Sequence, residues 1–169
     1  MVRIVVCLLQ LLFCFLLQSS VFSFLRISGV VPNCLLILVI TVAYTRGQNS
    51  SIVTGFFAGM LADLWFSDMV GLCAILYMII GFLAGYSNKI YDKRDYITPL
   101  LMITVGEFVY SFLYFMVCFL LRGKLDIGNY MIYTILPRIM YTLVAALALY
   151  PLFLGTHCLL QRLEGQNHD

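Results

Sequence analysis

Long apolar runs alternate with short polar breaks along the 169 residues of the chain. The runs cover approximately residues 4–25, 30–45, 51–66, 70–86, 97–121 and 130–160, and charged residues gather between them. An apolar helix of about 20 residues crosses about 30 Å of hydrocarbon. The pattern therefore predicts an all-α integral membrane protein, a single domain over 1–169 with six transmembrane helices. The second run is short and has Pro32 near its start, where a missing N–H costs nothing. The fifth opens near Pro99. The last is long enough to tilt or kink, with Pro137 and Pro151 as candidate break points. Arg3 followed by apolar residues imitates a signal peptide, but the run continues past Gln18 without an A-x-A cleavage site. It reads as an uncleaved first span.

Composition strengthens this class. Hydrophobic residues make up 63% of the chain, charged residues 11%, and the mean hydropathy is +1.00. Soluble domains average about 45–50% apolar and about 25% charged. No polar stretch is long enough for a soluble domain. The net charge is only +2, and no basic run is interleaved with aromatics, so nucleic-acid binding has no support.

Charge then orients the spans. With six spans, one side carries Arg3, Arg46, Lys89, Lys93, Arg94 and Arg162, and the other carries Arg26, Arg122 and Lys124. Positive residues favour the cytoplasm, which places both termini and the loop KIYDKRDY there. Tyr86, Tyr91, Tyr96, Tyr130 and Tyr150 fall near span ends, as interfacial anchors do.

The stretch GFFAGMLADLW (55–65) spaces Gly55, Gly59 and Asp63 four apart, which stacks them on one helix face. Gly81 and Gly85 repeat the small-xxx-small spacing on the next span. Such pairs let membrane helices approach closely, which favours packing of the third span against the fourth over a dimer interface. Ionisable groups inside spans are costly and face other helices or water. Asp63, Glu107 and Arg138 qualify, with Asn33 as a further polar position. At about 1.5 Å per residue, Glu107 and Arg138 both fall near mid-bilayer, and Asp63 lies nearer the outer surface. Either acid can neutralise Arg138. The result is a packing-fixing ion pair or the polar floor of a cavity or docking site.

Catalytic chemistry is not in evidence. The six cysteines are scattered singly, with no CxxC pair and no histidine at ligand spacing, and read as small hydrophobes. His157 and His168 fall near the end of the last span and in the tail. There is no Ser–His–Asp set, metal-ligand cluster or phosphate-cradling loop. The expectation is a non-enzymatic protein, without metal or cofactor, that acts by contact.

In order along the chain, several pieces resemble the MreD family of bacterial rod shape-determining membrane proteins. VPNCLLILVITVAYTRG (31–47) has a proline and a polar residue opening an aliphatic helix that closes on Arg46-Gly47. GFFAGMLADLW is similar to the family's G-F-x-x-G-L-x-x-D segment, here with Met60 before Leu61. Gly71 and YMIIGFLAGY (77–86) follow. The likeness is strongest over about residues 30–90 and in the last two spans is one of length and hydropathy. By position, Asn33, Arg46, Gly55, Gly59, Asp63 and Gly81 are the family-like residues. Glu107 and Arg138 come from burial alone.

The resemblance implies a six-helix architecture similar to the substrate-binding subunits of ECF-type transporters. It implies a non-catalytic role in the elongation machinery of the bacterial cytoplasmic membrane, directing lateral-wall peptidoglycan synthesis and maintaining rod shape. MreC is the expected partner, with MreB, RodA and a class B penicillin-binding protein reached directly or through the complex, and membrane lipid around it. If helices present an interface to MreC, grooves at Gly55/Gly59 or Gly81/Gly85 are the candidate docking sites. The alternative is a small-molecule-binding subunit of an ECF-type vitamin transporter, with Asn33, Asp63 and Trp65 at a suitable depth. Such subunits use small-residue faces on the first span, where this chain has the bulky RIVVCLLQLLF.

Overall fold

A computed structural model describes residues 2–21, 31–66, 71–86, 97–122 and 131–165. Among these residues there are six α-helices and no strand. They are α1 (Val2–Leu16), α2 (Cys34–Arg46), α3 (Gln48–Phe66), α4 (Leu72–Tyr86), α5 (Ile97–Arg122) and α6 (Leu136–Gly165). A π-helical turn, Leu17–Val21, follows α1, and another, Met131–Ile135, precedes α6.

Helix α2 is the axis of the fold. Every residue from Cys34 to Tyr44 is buried, so the helix is enclosed on all sides. A helix that is hydrophobic all round belongs in the interior, and CLLILVITVAY is that sequence. Its 13 residues span about 20 Å, less than the about 30 Å of a bilayer core. The other five helices all pack against it.

Those outer helices turn apolar side chains away from the bundle. Leu8, Leu12, Phe57, Phe82, Phe108 and Val144 are among the large hydrophobics on the surface, whereas Asn33, Asp63, Glu107 and Thr142 are buried. A water-soluble domain sorts these classes the other way. Two segments, Ile97–Val117 and Tyr133–Thr156, are long and apolar enough to cross a membrane, and α1, α2 and α4 are shorter apolar helices.

The closest approach in the bundle is between α3 and α4. Gly55 meets Tyr77, Gly59 meets Ala74, Gly81 meets Ser51 and Gly85 meets Gln48, so the two helices run antiparallel. A Cβ on Gly55 would lie 2.8 Å from the Tyr77 carbonyl oxygen, and one on Gly85 would lie 2.6 Å from Gln48 Cα. A Cβ on Gly59 would overlap the Ala74 backbone. Close packing also lets Ser51 Oγ donate to the Gly81 carbonyl at 2.8 Å.

Helix ends differ in part from the sequence expectation. Pro32 does not start α2: Asn33 caps it, accepting from Leu36 N–H through Oδ1 at 3.2 Å. Pro137 adjoins the change from the π-helical turn to α6, as expected of a residue with no N–H to give the turn before it. Pro151 lies inside α6, which continues through it.

Candidate functional site: a buried polar cluster

The N-terminal end of α2 lies inside the bundle, so its free N–H groups need partners from other helices. Asn33 Oδ1 supplies one, and Gln18 Oε1, from the turn after α1, accepts from Leu35 N–H at 3.3 Å. The Asn33 N–H donates to Thr142 Oγ1 on α6 at 3.2 Å. The Tyr77 hydroxyl on α4 donates to Asn33 Oδ1 at 2.5 Å. One asparagine thereby ties α2, α4 and α6 together.

Glu107 on α5 completes the cluster. It is fully buried, and Arg138 Nε on α6 approaches its Oε1 to 3.9 Å. That distance is an ion pair but not a hydrogen bond. The Asn33 side chain lies beside Glu107, but neither carboxylate oxygen completes a hydrogen bond with a described residue. A negative charge is favoured at the positive end of the α2 dipole and by Arg138, which together account for an acid at this depth. Gly106 beside it keeps room for Ile40 of α2: a Cβ there would meet Ile40 Cδ1 at 2.5 Å.

Asp63 is not the counter-ion of Arg138 that the spacing left open. Its carboxylate accepts from the N–H groups of Gly71 (2.9 Å), Cys73 (3.0 Å) and Ala74 (3.1 Å). It caps α4 from α3, and the α4 dipole compensates its charge. Gly71 serves this turn with φ +100, a left-handed conformation that suits glycine. A chain of contacts leads on from the cap. Cys73 Sγ lies 3.4 Å from the Tyr110 hydroxyl, and the Tyr110 and Tyr77 rings are 5.3 Å apart.

The glycine faces pack within the chain, the favoured of their two readings, and so are not open as docking grooves. Gly55 and Gly59 receive α4, and Gly81 and Gly85 receive α3. Small residues removed the side chains that would hold the backbones apart, and the neighbouring helix took up the space. Arg46 is in the last turn of α2, where a cation suits the dipole. Lys89, Lys93 and Arg94 lie outside the described residues. Trp65 is exposed near the end of α3 and meets Phe15 edge-on at 5.9 Å, so it does not line the polar cluster. Sequence reasoning missed Gln18, Tyr77, Ser111 and Thr142, because hydroxyl and amide residues in apolar helices give no sign of which face they occupy.

Among the described residues no group of three or more His, Cys, Asp or Glu is placed to hold a metal. The polar groups join helices to one another, within an apolar exterior. This is the construction of an all-helical integral membrane protein. A family model, rod shape-determining protein MreD, matches residues 1–160. The chain belongs to this family of bacterial membrane proteins that determine cell shape. Comparison with curated proteins found no match, and comparison with solved structures found none.

Proposed function

We propose that this protein is a membrane scaffold of the elongation machinery. It binds MreC within the bilayer and helps direct peptidoglycan insertion along the lateral wall. MreB, RodA and a class B penicillin-binding protein are engaged directly or through that complex. The family match over residues 1–160 carries this reading, and the buried polar groups support it by serving helix–helix contacts. In this reading all six helices cross or enter the membrane, both termini are cytoplasmic, and partners meet the outward apolar faces instead of the filled glycine grooves. The transporter-subunit alternative is not favoured, since the matched family is one of shape determination.

Depletion in the native host tests the reading. Rod cells should round up, and a tagged copy that restores rods should co-purify with MreC from membranes. Rods that persist after depletion, or a functional tagged copy that recovers no MreC, would overturn it.

A further inference from the structure

We propose that Glu107 and Ser111 form a buried acceptor site that holds one or more water molecules beside the N-terminal end of α2. Both oxygens of Glu107 and the Oγ of Ser111 are buried without a hydrogen-bond partner among the described residues. The two residues are four apart on α5, so they share one face. Glu107 is 0% exposed and Ser111 is 2% exposed. Buried polar atoms in native proteins are nearly always paired, and where the protein supplies no partner an ordered water does.

The surroundings select the occupant. Arg138 Nε at 3.9 Å from Glu107 opposes a cation. The Glu107 carboxylate opposes an anion. A small neutral donor satisfies both, and a buried water needs two to four polar partners. Glu107, Ser111 and Arg138 provide them. The Arg138 side chain is 27% exposed while its Nε faces Glu107, so the site lies one side chain in from the surface of the bundle. Water at this point turns a loose ion pair into a bridged one, and α5 and α6 can shift without stranding the charge.

X-ray hydroxyl-radical footprinting of the full chain in lipid nanodiscs tests this, because buried side chains are oxidised where a bound water supplies the radical. Tyr77 and Tyr44 are both 1% exposed. Tyr77 adjoins the cluster through Asn33, whereas Tyr44 lies at the other end of α2. Tyr77 should be oxidised several-fold faster than Tyr44. The double variant Glu107→Met, Ser111→Ala should bring Tyr77 down to the Tyr44 rate. If Tyr77 in the unaltered protein is oxidised no faster than Tyr44, the proposal fails, whatever the variant does. It fails equally if a folded double variant keeps the fast rate.

Discussion

Asp63 on α3 accepts a 3.0 Å hydrogen bond from the N–H of Cys73 on α4, and so closes a helix to which it does not belong. The same carboxylate takes the N–H groups of Gly71 and Ala74. Removing it strands three donors, two of them in buried bonds, and a lost bond to a charged group costs about 1.5–3 kcal/mol. Asp63→Ala should therefore lower stability in detergent by about 2–3 kcal/mol. Asp63→Asn, with its amide oxygen in place of Oδ2, keeps the Gly71 and Ala74 bonds and should lose less. Exchanging Asp63 and Arg138 should give no rescue. Thermal unfolding of the purified variants measures all three.

Part of this bundle was legible in the chain, and each exception has a physical cause. Paired glycines four apart announced close helix packing, although the spacing did not settle whether the neighbour was in the fold or in another chain. The depth estimate put Glu107 level with Arg138, because a costly charge restricts its own placement, but it left Asp63 open as the partner. The partner of Asp63 was not legible, since backbone N–H groups carry no residue identity. The enclosure of α2 was visible only as an apolar run too short to span comfortably. Tyr77 and Thr142 were hidden because a hydroxyl is tolerated on any face of a membrane helix.

The glycines should differ in tolerance according to what a Cβ would meet. Gly59→Ala drives a methyl group into the Ala74 backbone, which cannot move aside, and should abolish stable folding. Gly106→Ala meets the tip of Ile40, a flexible side-chain end, and should cost about 1 kcal/mol. Gly155 has nothing within 4 Å, so Gly155→Ala should be neutral or add up to about 1 kcal/mol through helix propensity. Expression level and monodispersity in detergent separate the first from the other two, and thermal unfolding ranks the remainder.

Asn33 and Tyr77 should behave as one unit. Tyr77→Phe removes a hydroxyl bonded to Asn33 but leaves the ring against Tyr110, a loss of about 1 kcal/mol. Asn33→Ala removes both that acceptor and the cap of α2, a loss of about 1–2 kcal/mol or more. The double variant should be less destabilised than the sum, since the shared bond is counted in each single change. Additive losses would show that the hydroxyl has another acceptor.

The Glu107–Arg138 pair should cost more to break than to replace. Arg138→Ala leaves a fully buried carboxylate without its cation, and removal of one partner from a buried pair costs about 3–5 kcal/mol. Partial exposure of Arg138 puts the expected loss at the low end, about 3 kcal/mol. Replacing both with apolar residues of similar size, Glu107→Leu with Arg138→Met, removes the stranded charge and should recover most of that loss. A double-mutant cycle by thermal unfolding in one detergent gives the coupling. Arg138→Ala as stable as the parent would mean that the α2 dipole and solvent alone support the carboxylate, and that the arginine is there for something outside the bundle.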